Sequence, residues 1–310
     1  MRILVTGASG LLGLNAALQL KDRHQVSGVY CSHPVRIEGV ETFFLDLRAA
    51  TAVRDLVLEL RPQAILHTAG LTNVDACEVN PREAEELHVQ VSEHVAHAAG
   101  SVGAMLVHIS TDHLFDGQKA LVEENESPAP LNQYARTKFA AEQRVRRISP
   151  GALIVRTNFY GWGTALRASF SDWILAGLEQ RKILNMFTDV FFTPILANDL
   201  IERILDLVKA GANGIYHVAG GERISKYDFA IELASIFNYP TDRIHGVSIQ
   251  EISLRARRPY DMSLKTDKAA RLLGRPMPLV SEGLVRLKEL ELQGWRQLMY
   301  KSILTDNRIE

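Results

Sequence analysis

Cysteine is nearly absent from this chain of 310 residues, which holds only Cys31 and Cys77. Two thiols make neither a disulfide framework nor a metal cluster, so both read as ordinary thiols in a reducing compartment. Long hydrophobic runs are missing too. The longest uncharged stretch, Val95 to Thr111, contains glycine, histidine and serine, and reads as a helix end, a loop and a buried strand rather than a membrane span. Neither sign of charge is in excess: a formal net charge of -1 gives no reason to expect nucleic acid or an anionic membrane as partner. The first apolar run breaks at Gly7, unlike a signal peptide, so a cytoplasmic location is expected. Repeats, low-complexity tracts and linkers are lacking. Ten histidines and 36 acidic residues never fall into a metal-ligand spacing, and no metal is expected.

What is present is a core-forming composition, 46% apolar, enough for one large domain or one and a half. The chain opens on an apolar strand, Ile3-Leu4-Val5, that runs into Gly7, Gly10 and Gly13. Three glycines spaced three apart suit a dinucleotide pyrophosphate site: one turns the chain, one lets backbone approach phosphate, one lets the next helix pack closely. A plain glycine-rich turn remains the competing reading.

Apolar strand-like runs at Ile3–Val5, Val26–Tyr30, Thr42–Phe44, Ala64–His67, Ala104–Ile109 and Ala152–Val155 alternate with helical patterns. The helical patterns are Leu11–Lys21, Ala50–Leu60, Pro81–Ala99 and Asn132–Arg147. This is the rhythm of an α/β parallel sheet with right-handed crossovers. After about Thr157 it loosens, before a helix at Leu200–Lys209 and a strand at Gly214–Val218. The expected division is a nucleotide domain over 1–157, joined again by about 197–220, with 158–310 mainly a smaller substrate-binding lobe.

Two further signals carry chemistry. His108-Ile109-Ser110-Thr111-Asp112 ends a buried strand on hydroxyls, where open parallel sheets collect ligands. Tyr134 and Lys138 stand four apart in a helical pattern, hence on one face. An ammonium beside a phenol stabilises the phenolate, so the phenol is expected to titrate lower than its usual value of about 10. Alone, such a pair also describes a solvated lysine beside a half-buried ring.

Taken together, these segments resemble the extended short-chain dehydrogenase/reductase superfamily, and within it the dTDP-4-dehydrorhamnose reductases. The likeness runs through TGASGLLG from Thr6, VDACE from Val74, HISTDHLFDG from His108 and PLNQYARTK from Pro130. It continues through RTNFYG from Arg156, Thr193-Pro194, GIYHVAGG from Gly214 and RPYDMSL from Arg258. The resemblance implies a doubly wound Rossmann fold with a second, smaller lobe that binds a nucleotide-linked sugar. It implies Thr111, Tyr134 and Lys138 as the catalytic trio. Tyr134 would donate a proton to the C4 carbonyl oxygen of a 4-keto-6-deoxy sugar as hydride arrives from the nicotinamide. Lys138 would tune the phenol and, with Tyr134, meet the nicotinamide ribose, while Thr111 would hold the carbonyl oxygen. Asp112 would touch substrate, or else cap the turn after the strand.

For the cofactor, Gly7, Gly10, Leu11, Leu12 and Gly13 would form the phosphate turn. Ser32 and Arg36 follow the second strand where an acid would suit NAD, so NADP(H) is preferred, with NAD(H) the alternative and a solvated Arg36 the bland reading. Asp46 and Leu47 would flank the adenine, and Ala69 and Gly70 would pass beside the cofactor. Arg258 would reach a diphosphate, or lie in an exposed basic turn. Phe187, Phe191 and Phe192 fit either a sugar cleft or a core.

Four positions depart from the family pattern. His88 replaces an asparagine that organises the active-site helix, His113 replaces a tyrosine, and Phe159 replaces a tryptophan that borders the sugar in some relatives. Asn15 replaces a glutamate tied to magnesium-linked dimerisation; a homodimer is left open. Two other functions stay in view: an epimerase or dehydratase that keeps its cofactor, and a non-catalytic NADP-binding regulatory subunit like that of methionine adenosyltransferase, which resembles the same family.

Overall fold

Along Arg2–Thr6, Ile3 and Val5 enter one apolar core and Leu4 enters another, as a parallel strand covered on both faces requires. The computed structural model describes residues 1–164 and 166–304; residue 165 and residues 305–310 of the expected lobe lie outside the described residues. The chain begins with β1 (Arg2–Thr6), α1 (Leu11–Leu20), β2 (Gln25–Tyr30), β3 (Glu41–Phe44), α2 (Ala50–Leu60) and β4 (Ala64–His67). It continues through α3 (Val74–Val79), α4 (Pro81–Glu85), α5 (Val91–Val102), β5 (Met105–Ile109), α6 (Gln133–Ile148) and β6 (Leu153–Arg156). The strands match the periodic runs to within a residue or so; the inner strands are mostly buried there, while β3 at the sheet edge is only partly buried.

The second half holds β7 (Phe159–Tyr160), α7 (Phe170–Glu179), β8 (Leu184–Phe187), β9 (Phe191–Phe192), β10 (Ile195–Leu196), α8 (Ala197–Lys209) and β11 (Gly214–His217). Then come β12 (Ile224–Ser225), α9 (Lys226–Ile236), β13 (Ile244–Val247), α10 (Asp267–Leu273), α11 (Val280–Leu292) and α12 (Trp295–Lys301). A seven-stranded, all-parallel sheet runs in the order β11-β6-β5-β4-β1-β2-β3. The order reverses between β1 and β4, which is where a doubly wound sheet opens a crevice at its carboxyl edge. Helices α1 and α8 cover one face, and α2, α5 and α6 the other. Beyond β6, three two-stranded pairs, β7 with β10, β9 with β12 and β8 with β13, pack with α7, α9 and α11 beside that crevice.

One expected helix is divided. Pro81–Ala99 reads as a single helix from its periodicity, but α4 and α5 are joined by a π-helical turn over Glu86–Gln90. The wider turn admits one more residue than an α-helix would, and it carries His88, both of whose ring nitrogens are engaged by neighbouring segments.

Asn15 is fully buried in α1. Its amide donates to the Leu11 and Trp162 carbonyls and its oxygen accepts from the Trp295 indole at 2.8 Å. Asn15 thereby ties α12 to α1.

Candidate active site

The turn after β1 shows why glycine stands where it does. Gly7 has φ 72°, and a β-carbon there would lie 2.9 Å from the Ala69 backbone. At Gly13 a β-carbon would come within 2.2 Å of the Gly7 carbonyl oxygen. Helix α1 thus starts flush against the turn, with Gly10 as its N-terminal cap residue and no side chain closing that end. The amides at the start of α1 face an open cleft of about 320 Å³, whose walls include Gly10, Gly13, Thr111, Tyr134, Phe159 and Phe170. This cradle fits a dinucleotide pyrophosphate, since it offers backbone N–H groups and the positive end of a helix with no β-carbon in the way.

Opposite the turn, α6 presents Tyr134, Lys138 and Glu142 at successive four-residue steps. Asn132 caps the helix, accepting from the Ala135 amide at 2.9 Å. Lys138 donates to the Ile109 carbonyl at the end of β5, 2.7 Å away. Glu142 pairs with Arg156 of β6 at 2.8 Å in full burial, a bond whose one-sided removal costs about 3–5 kcal/mol. Two strand ends therefore fix the rotation of α6 and aim Tyr134 into the cleft.

The expected lowering of the phenol pKa is corrected. Burial pushes Tyr134 up to about 12; the hydrogen bond with Thr111 draws it down, and Asp112 draws it up. Lys138 spends its hydrogen bond on Ile109 and is itself lowered to about 8 by burial, with Glu142 opposing. Desolvation outweighs pairing here. Tyr134 is consequently a protonated phenol at neutral pH.

Two imidazoles meet that phenol edge-on. The His88 and His113 ring centroids both lie 5.6 Å from the Tyr134 centroid, at 80° and 89°. Burial lowers each histidine to about 3, so both are neutral. The Leu71 carbonyl, 2.7 Å from His88 Nε2, accepts only, which places the proton on Nε2. Nδ1 then accepts from the Thr137 hydroxyl at 2.7 Å. His88 thus ties α6 to the loop after β4.

Behind the trio, Asp112 is buried. It accepts from Asn158 Nδ2 at 2.7 Å and, at 3.3 Å, from Thr111. Burial raises its carboxyl to about 6 against the pull of Lys226. Lys226 opens α9, with its ammonium 3.2 Å from the Phe192 ring centroid and 4.6 Å from that of Phe170. Asn158, Lys226 and Phe170 were not singled out from the sequence. For Lys226 the available signal is the cap Ser225-Lys226-Tyr227-Asp228, whose serine accepts from the Asp228 amide at 2.9 Å.

The remaining expected residues divide by location. Phe159 lines the cleft, and Ala69 and Gly70 follow β4 against the glycine turn and His88. Ser32 and Arg36 are exposed after β2, in a loop pinned where the Arg36 amide donates to the Ser302 carbonyl at 2.8 Å. Asp46 grips Arg48, which holds its carboxyl below the ordinary range, and the Leu47 side chain belongs to the core. Arg258 lies outside the cleft lining; its guanidinium pairs with Asp75 of the VDACE segment at 2.9 Å. Among the described residues, Arg167 is the lysine or arginine that lines the cleft. Phe192 is core, and Phe191 lies under the Arg223 guanidinium at 3.5 Å.

Residues 1–290 match the family described as RmlD substrate binding domain. The chain belongs to that family. Among family relatives, the probable low-salt glycan biosynthesis reductase Agl14 of Haloferax volcanii is 29% identical over 93% of this chain and 97% of its own length. Methionine adenosyltransferase 2 subunit beta of Pongo abelii is 31% identical over 86% of this chain and 81% of its own. A solved dTDP-4-dehydrorhamnose reductase of Bacillus anthracis, in complex with NADP, superposes with a TM-score of 0.80 at 30% identity, covering 93% of this chain and 98% of that one. At the level of the family these matches support an oxidoreductase. No helix among the described residues is long and apolar enough to cross a membrane.

Proposed function

We propose that the protein reduces the C4 carbonyl of a nucleotide-linked 4-keto-6-deoxy sugar with NADPH. The observation that carries this reading is Tyr134: a half-buried, protonated phenol near Thr111, in a cleft whose opposite wall is the glycine turn. Gly7, Gly10, Leu11, Leu12 and Gly13 hold the pyrophosphate, and Ser32 and Arg36 meet the 2′-phosphate. Asp46 and Leu47 border the adenine, Ala69 and Gly70 flank the nicotinamide half, and Tyr134 and Lys138 reach its ribose. When bound, the dinucleotide supplies the hydride.

Thr111 positions the keto oxygen, and Tyr134 Oη gives it a proton as negative charge builds there. A phenol near 12 remains a stronger acid than the alcohol it forms, so the transfer is favourable once reduction begins. Lys138, held beside the phenol by the Ile109 carbonyl, stabilises the phenolate left behind. Phe159 borders the sugar ring, and Arg167 offers its cation to the diphosphate, with Arg258 supporting that wall through Asp75.

The test is NADPH oxidation across a panel of nucleotide-linked 4-keto sugars. Consumption with at least one of them supports the reading. Interconversion of sugars without NADPH consumption points instead to the epimerase or dehydratase alternative. The methionine adenosyltransferase beta relatives support a second reading, a regulatory subunit. It predicts that mixing with a methionine adenosyltransferase catalytic subunit alters that enzyme's kinetics, and that NADPH is bound but not consumed.

A further inference from the structure

Tyr134 owes its direction to more than its helix, because it stands half-buried on the cleft wall and is met by rings from two other segments. His88, in the π-helical turn, and His113, after β5, each lie 5.6 Å from its ring centroid, at 80° and 89°. These are the separations and angles of edge-to-face aromatic pairs. The His88 ring is itself fixed. Leu71 and Thr137 engage its two nitrogens at 2.7 Å each, and Gly70 leaves it space, since a β-carbon there would lie 3.3 Å from His88 Cδ2.

His113 is held differently. It lines the cleft, but its Nδ1 is buried without a partner and its Nε2 stands 4.0 Å from Asp112, beyond hydrogen-bond reach. Its backbone is pinned instead, with the amide donating to Thr111 Oγ1 at 3.2 Å. What His113 brings to Tyr134 is therefore the surface of a ring.

We propose that His113 is a positioning residue that, together with His88, seats the Tyr134 ring so that its hydroxyl stays aimed at Thr111. This rests on the reading of Tyr134 as the proton donor and adds a residue that acts through it. A donor must stand within hydrogen-bond reach of the oxygen it protonates, so a phenol free to swing spends part of its time out of reach. The His113 amide strengthens the case, because it holds the same Thr111 hydroxyl towards which the phenol points. One residue thus sets the spacing of two groups that meet the keto oxygen.

The experiment uses His113→Ala, His113→Phe and His113→Tyr, with circular dichroism and thermal unfolding as the check that each variant is folded. It measures kcat and KM with NADPH and a 4-keto nucleotide sugar, and NMR spectra of protein labelled with carbon-13 tyrosine, in which Tyr134→Phe identifies the Tyr134 signals. A gripped ring shows its two ε positions as separate signals; a loose ring turns over and averages them. His113→Ala is expected to merge the two signals and to lower kcat about tenfold with KM within about twofold, a barrier change of about 1.4 kcal/mol, the size of one aromatic pair. The Phe and Tyr variants are expected to keep the signals apart and to recover kcat to within about threefold of wild type, because each restores a ring. Merged signals in wild type, full kcat in a folded His113→Ala, or Phe and Tyr variants as impaired as Ala, would each overturn the positioning role. Failure of wild type to reduce any 4-keto sugar overturns the proton-donor reading, and the NMR signals alone then decide whether His113 seats the ring.

Discussion

The two walls of the cleft are built by different means. The wall after β1 is backbone: Gly7 at positive φ and Gly13 pressed on the Gly7 carbonyl leave no room for a side chain. The facing wall is side chains gathered from distant segments: Thr111 and Asp112 after β5, Tyr134 on α6, Asn158 after β6 and Phe170 on α7. A backbone cradle suits the part of a ligand that is the same in every turnover. A side-chain wall suits the part that distinguishes one substrate from another, because it can change residue by residue.

The largest effect belongs to the side-chain wall. Tyr134→Phe is expected to lower kcat by about 10²- to 10⁴-fold while NADPH affinity stays within about threefold, since ring and helix survive. Steady-state kinetics beside a fluorescence titration reads both, and full activity in the variant would refute the proton-donor role. Next comes the backbone wall. Gly13→Ala is expected to cost about 3 kcal/mol of backbone displacement, and so to weaken NADPH binding by about a hundredfold. Near-wild-type affinity in that variant would deny the turn its tight fit.

Acid should test the packing beneath the walls. His67, His88, His113 and His217 are lowered by burial to about 3, so the fold holds them neutral. The unfolded chain takes up their protons near 6.5. Their share of stability is therefore complete above pH 6.5 and is lost as pH falls towards 3. Thermal unfolding should show Tm dropping by several degrees per pH unit across that window; a flat Tm would contradict it. The smallest effect is at the rim, where Arg258→Ala removes a half-exposed pair with Asp75. It is expected to cost up to about 1 kcal/mol in stability with only a few-fold rise in KM, read by unfolding and kinetics.

The same contrast explains what could be read from the sequence. The inner strands β1, β2, β4, β5 and β6 show as apolar runs because burial on both faces leaves a local signature, and the glycines show because sterics are local. Tyr134 and Lys138 are visible because one helix carries both. Asn158 reaches Asp112 only through tertiary folding, and no local pattern ties residue 158 to residue 112. The π-helical turn at His88 is hidden for a similar reason, since partners at Leu71 and Thr137 anchor it across the fold. The phenol pKa also escaped, because burial is a property of the whole packing around Tyr134.

The most direct measurement of the central claim follows the isotope. The protein is given NADPH deuterated at nicotinamide C4 and a 4-keto nucleotide sugar, and the product is analysed by mass spectrometry and NMR. The account predicts one deuterium at C4 of the sugar for each NADPH consumed, using the stereospecifically labelled face that the enzyme selects. A sugar that acquires no deuterium from either labelled face would contradict it.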